Sequence, residues 1–215
     1  MEGSDESLEA FQIDDEDTVL VTCRSSDIGM IDEVVYNPIY NELVLHHSVD
    51  LPFLPLTVQT TNFRPGSEQV GGVHCVVAGF GPEIEFHDLN LVDEIAPEAV
   101  LAAQRYFKGS DKPIRSHESH NGAVLSSAWS PLHPNILLTG GEDGAIKFWE
   151  LSSEKCIQTL EKVHEGPVGQ LQFVNKAQCF FSAGVDDKKL KYFDFTVNQK
   201  DPIWETELPA GIESL

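Results

Sequence analysis

The sequence predicts an all-β fold built from tandem antiparallel sheets arranged radially. Two observations carry that prediction. One is a block that recurs forty-four residues later: HNGAVLSSAWSPLHPNILLTGGEDGAIKFWE begins at His120, and HEGPVGQLQFVNKAQCFFSAGVDDKKLKYFD begins at His164. The two align without a gap, setting Gly122 on Gly166, Val124 on Val168, Trp129 on Phe173, Asp143 on Asp187 and Trp149 on Phe193. The other is a run of short segments rich in β-branched and aromatic residues, punctuated by turn dipeptides. With 215 residues, of which 41% are hydrophobic, the chain can bury a sizeable core.

At the N-terminus, residues 1–17 hold eight acids and no base, the composition of a solvated, disordered tail. TVLVTCR from Thr18 and EVVY from Glu33 read as strands, and ELVLHH from Glu42 reads as the next. Asn37-Pro38 and Asn41-Glu42 mark turns between them, and Pro52 and Pro55 punctuate the stretch after the third strand. A second unit runs from Leu56 to Asp93. Its strands are VHCVVA from Val73 and EIEFH from Glu83, so residues 18–95 are expected to form two divergent repeats. EAVLAAQR from Glu98 favours a helix. It opens an insertion or linker over residues 96–119 in which Arg105, Lys108, Lys112 and Arg115 cluster, read either as a floppy connector that happens to be basic or as a local contact for RNA or an acidic surface. Two clear repeats, 120–163 and 164–208, each carry four expected strands. Residues 209–215 look like the start of a further repeat, with Gly211-Ile212 opening its inner strand.

A period of about 40–45 residues that opens near His and closes on Trp-Asp or a variant resembles a WD-type β-propeller blade. The fold class is therefore all-β, a WD40-type propeller. Propellers of this kind use about seven blades. At this period the chain holds four or so, which predicts an open arc and a fragment or shortened homologue. In such blades a buried polar network ties the outer strand region to the inner strands. The resemblance maps it onto His120, Thr139, Asp143 and Trp149. Asp143 would accept from the imidazole and from turn amides, and the Trp149 indole N–H would reach the hydroxyl. The next repeat keeps His164 and Asp187 but has Ala183 and Phe193 at the other two aligned places, so a weaker network is expected there. A triad reading of His, Asp and a hydroxyl loses to this one, because all three fall on structural positions of a repeat.

The net charge of −21 excludes a general nucleic-acid grip and favours basic partners. The four cysteines lack Cys-x-x-Cys spacing, and the acidic N-terminus has no secretory leader pattern, which points to a reducing compartment. No apolar run approaches the ~18 residues that span a bilayer. His117 and His120 (HESH) make a weak metal motif with no supporting cluster, and no catalytic residue, metal or cofactor is expected.

Two further segments, LVLHHSVDLPFLPLTVQTTNF and PEIEFHDLNLVD from Pro82, narrow the resemblance. Together with the acidic N-terminus and TVLVTCR they are similar to the periodic tryptophan protein 1 family, over roughly residues 17–195. His87 stands where that family has Trp. The resemblance implies a non-enzymatic scaffold of the nucleus and nucleolus, acting in pre-rRNA processing and large-subunit precursor assembly. It implies proteins of pre-ribosomal particles as partners, with pre-rRNA and ribosomal-DNA chromatin or histones as further contacts. It implies no membrane and no small-molecule substrate. The competing function is a chromatin-associated histone-tail binding module, since an acidic propeller face suits basic tails.

Overall fold

The computed structural model describes residues 13–68, 70–92, 96–102, 118–174, 178–196 and 201–210. The architecture is four antiparallel sheets in sequence order. The first holds β1 (Thr18–Ser25), β2 (Gly29–Asn37) and β3 (Glu42–Leu51). The second holds β4 (Pro55–Phe63), β5 (Val70–Gly79), β6 (Ile84–Asp88) and β7 (Ala99–Leu101). The third holds β8 (Val124–Trp129), β9 (Ile136–Gly141), β10 (Ile146–Glu150) and β11 (Lys155–Leu160). The fourth holds β12 (Val168–Phe173), β13 (Cys179–Gly184), β14 (Lys189–Asp194) and β15 (Trp204–Glu207).

The sheets stand face to face like successive blades. The leading strands β1, β4, β8 and β12 approach one another in turn. Hydroxyls link them: Thr57 on β4 shares a 2.8 Å hydrogen bond with Ser127 on β8, and Ser126 donates to the Val168 carbonyl at 2.8 Å. Between each neighbouring pair lies an apolar core. Ile31, Val49 and Leu51 meet Cys75, Val77 and Leu89 between the first two sheets. Phe86, Ile84 and Leu101 meet Leu137, Trp149 and Leu151 between the second and third. Leu138, Ile146 and Phe148 meet Leu171, Phe173 and Phe180 between the third and fourth. The four sheets make a propeller-like arc, and the expected all-β propeller fold is the one observed. No helix among the described residues is long and apolar enough to cross a membrane.

Two expectations are corrected. The stretch from Glu98 was expected to start a helix. Instead Ala99–Leu101 forms β7, the fourth strand of the second sheet, pairing Ile84 with Leu101 and Phe86 with Ala99. Helix propensity is a weak prior, and here burial overrides it: Leu101 is buried in the core between two sheets, and β6 gains a partner for its open edge. The insertion expected over 96–119 does not start at 96, since residues 99–101 belong to the second sheet, and its four basic residues lie outside the described residues. So do most of the acidic tail and the expected strand start at Gly211-Ile212. The described end of the tail is ordered: Asp14 and Asp17 close a turn, and Asn37 Nδ2 donates to Asp17 at 2.8 Å.

Candidate functional site

The third sheet carries the polar network. His120 lies on the chain entering β8, Thr139 on β9, Asp143 in the turn from β9 to β10, and Trp149 on β10. His120 Nδ1 is 3.0 Å from Asp143 Oδ1, and its Nε2 is 2.9 Å from Thr139 Oγ1. The Trp149 indole N–H donates to the same hydroxyl at 2.8 Å. The amides of Asn121 and Ala145 donate to the Asp143 carboxylate at 2.8 and 3.1 Å. These contacts assign the tautomer: Nδ1–H donates to the carboxylate, and the Thr139 hydroxyl donates to Nε2 while accepting from the indole. His120, Thr139 and Trp149 are wholly buried. Gly141 is required beside them, because a Cβ there would sit 2.3 Å from His120 Nδ1. The network joins the entry to β8 with β9 and β10 and stops short of the outermost strand β11, which backbone pairing holds.

The fourth sheet overturns part of the sequence reading. His164 Nδ1 contacts Asp187 at 2.9 Å, but a hydroxyl is present after all: His164 Nε2 is 2.9 Å from Ser182 Oγ. The gap-free alignment placed Ala183 there. Two offsetting one-residue changes hide the match. The connection from the first to the second strand is one residue shorter than in the third sheet, and the turn from Gly184 to Asp187 is one residue longer than that from Gly141 to Asp143. Gly184 accordingly takes the place of Gly141, with a Cβ position 2.5 Å from His164 Nδ1. The indole is absent, and Phe193 instead stacks on Phe180 at 5.1 Å. In the second sheet His87 stands at the Trp position. It is buried and meets Glu85 at 3.1 Å, so that sheet has a different internal pair.

Burial pushes the Asp143 carboxyl upward, but the hydrogen bonds from His120 and the two amides outweigh it and hold the pKa at about 2. The Asp187 carboxyl is likewise held below its ordinary value despite burial, by the Lys189 amide and His164. Burial lowers the His164 pKa against the opposing pull of Asp187. Both effects make acid destabilising. A depressed histidine loses stability as pH falls below its unfolded value of about 6.5, and a depressed aspartate loses it between about 3.9 and its folded value. For Asp143 the loss is roughly 2 kcal/mol. Urea unfolding at stepped pH is expected to show an early decline below neutrality and a later one below pH ~4. Asp143→Asn is expected to flatten the later step, and an unchanged step in that variant would assign it elsewhere.

These groups cannot do chemistry on an outside molecule. The Thr139 hydroxyl is fully buried and already engaged on both sides. Nor do Cys23 and Cys75 offer a thiolate near neutrality: burial pushes Cys23 to about 11 and raises Cys75 strongly. His117 of the HESH motif lies outside the described residues, and His120 is committed to the network.

The WD domain, G-beta repeat family matches residues 111–150, the stretch that holds the complete network. The chain is similar to periodic tryptophan protein 1. It is 27% identical to the periodic tryptophan protein 1 homolog of Drosophila melanogaster over 82% of this chain and 37% of that one. It is 27% identical to periodic tryptophan protein 1 of Saccharomyces cerevisiae over 57% of this chain and 23% of that one. An uncharacterized WD repeat-containing protein of Schizosaccharomyces pombe is 32% identical over 74% of this chain and 32% of its own length. The chain thus spans about a quarter to two fifths of these relatives.

The far face of the fourth sheet is apolar. Val174, Phe181, Leu190, Tyr192 and Trp204 line an apolar groove there, with the Phe181 and Tyr192 rings 4.9 Å apart. Three of these positions have equivalents in the third sheet, by strand pairing: Leu138 for Phe181, Ile146 for Leu190 and Phe148 for Tyr192. All three equivalents are buried against the fourth sheet. The groove is therefore the side of the fourth sheet whose equivalent in the third packs against a neighbouring sheet.

Proposed function

We propose that this chain is part of a non-enzymatic WD-repeat scaffold in ribosome biogenesis, working in the nucleus and nucleolus on pre-rRNA processing and large-subunit precursor assembly. The observation that carries this reading is the closed His120–Asp143–Thr139–Trp149 network in a chain similar to periodic tryptophan protein 1 over most of its length. Every reactive-looking group in it is spent inside the sheet, so the blades present rigid docking area rather than reagents. The acidity, net −21, steers basic proteins of pre-ribosomal particles toward it. Contact with pre-rRNA falls to the Arg105, Lys108, Lys112 and Arg115 cluster.

The histone-tail reading is favoured by the same acidity. Against it, the aromatic groove occupies positions that pack between sheets elsewhere in the chain. Gradient sedimentation of the tagged protein separates the two. Cosedimentation with large-subunit precursors is expected at moderate salt. Protein that stays at the top of the gradient yet is retained on histone-tail peptides would replace the scaffold reading with the chromatin one.

A further inference from the structure

A second cluster of histidines sits in the first sheet, away from the WD network. Strands β2 and β3 pair regularly until Glu33 meets His47; the next pair is Val34 with Leu45. His46 is thus the extra residue of a β-bulge. In an unbroken strand, consecutive side chains point to opposite faces. A bulge sets two residues against one and re-aims a side chain. Here it brings His46 and His47 to the same side, over Glu33.

The three side chains converge. His46 Nδ1 and His47 Nδ1 are 2.9 Å apart, His47 Nδ1 is 3.0 Å from Glu33 Oε2, and His46 Nδ1 is 3.6 Å from that same oxygen. Ligand atoms at 2.0–2.1 Å around tetrahedral zinc are spaced about 3.3 Å from one another, and this triangle brackets that value. All three side chains are nearly enclosed: Glu33 is 2% exposed, His47 6% and His46 11%.

A purely hydrogen-bonded arrangement leaves the cluster short. The two Nδ1 atoms can share one proton, but Glu33 Oε2 is buried and receives no hydrogen bond, despite its closeness to both rings. A buried carboxylate oxygen without a partner is costly. A cation bound by neutral imidazoles resolves all of this at once. It takes a lone pair from each ring and the charge of the carboxylate.

We propose that Glu33, His46 and His47 form a binding site for a divalent transition-metal ion of the zinc class, assembled by the bulge between β2 and β3. Two imidazoles and one carboxylate suit zinc or cobalt better than calcium or magnesium, which prefer all-oxygen shells. Slight exposure at His46 opens the remaining coordination position to water. His47 Nε2 has no hydrogen-bond partner, so the ring lacks the outer support that strengthens many zinc sites, and micromolar affinity is expected. The ion's structural effect is to clamp β3, the open edge of the first sheet, to β2.

Another trio, His74, Asp88 and Glu98, is also close together, with His74 Nδ1 at 3.7 and 3.8 Å from the two carboxylates. There, however, Arg64 already holds Glu98 and Asn90 holds Asp88. His74 Nδ1 has no hydrogen-bond partner there, but both carboxylates already accept from protein donors and are more exposed, at 18% and 20%, so this trio serves as the comparison.

The test is cobalt titration of the tag-free, chelator-treated protein, followed by its visible absorption. A saturable one-to-one spectrum of tetrahedral type, displaced by zinc, is expected. Affinity should fall about tenfold or more in Glu33→Gln and in His46→Asn, and stay unchanged in His74→Gln. Zinc should also raise the melting temperature of the wild type and not that of Glu33→Gln. Absence of a saturable spectrum in the wild type overturns the proposal, whatever the variants do. So does an equal spectrum in both site variants, or its loss in His74→Gln alone.

Discussion

Trp149→Ala is expected to cost roughly 3–5 kcal/mol in chemical unfolding. Two terms add. The indole is wholly buried in the core between the second and third sheets, among Phe86, Leu137 and Leu151, so truncation opens a cavity there. The indole N–H also donates to Thr139 Oγ1 at 2.8 Å, and its loss leaves the hydroxyl's remaining lone pair without a donor. Trp149→Phe restores most of the volume and none of the hydrogen bond, as Phe193 does naturally in the fourth sheet. It is expected to recover more than half of the loss. If Phe is as damaging as Ala, the network rather than the cavity sets the energetics.

Phe180→Ala is expected to be comparably severe, also roughly 3–5 kcal/mol. Phe180 is fully buried, stacks on Phe193, and meets Phe148 edge-on at 5.7 Å and Phe173 at 6.1 Å. It therefore couples the third sheet to the fourth, so both should lose stability together. Its neighbour Phe181 points to the opposite face, which no described sheet covers, and is only partly buried. Phe181→Ala should cost within about 1 kcal/mol. Adjacent phenylalanines differing several-fold in urea unfolding would report the strand's alternation directly. Equal losses would mean that something packs over the groove.

Much of this was legible in the sequence, and for local reasons. Alternating apolar residues and turn dipeptides placed β8 on Val124–Trp129 without error and β1 to within one residue. The resemblance to WD blades mapped a network onto His120, Thr139, Asp143 and Trp149, and the structure brings those four side chains into contact. The network of the fourth sheet was misread at its hydroxyl because Ser182 reaches His164 only through two opposite one-residue shifts, and a gap-free alignment cancels such shifts. β7 was missed because its strand character comes from a vacant edge on β6 and a core waiting for Leu101, not from its own residues. His46-His47 was visible as a dipeptide. Its convergence on Glu33 depended on a bulge, and a bulge is set by pairing with another strand.

What the sequence determined by itself is the repeat: its period and its strands. Those depend on backbone preference and on which face of a strand is apolar, both properties of neighbours along the chain. What only the tertiary structure decided is register: which serine meets His164, which segment completes the second sheet, and which two histidines turn to the same carboxylate. Register is settled between strands, and a slip of one residue turns every side chain to the other face.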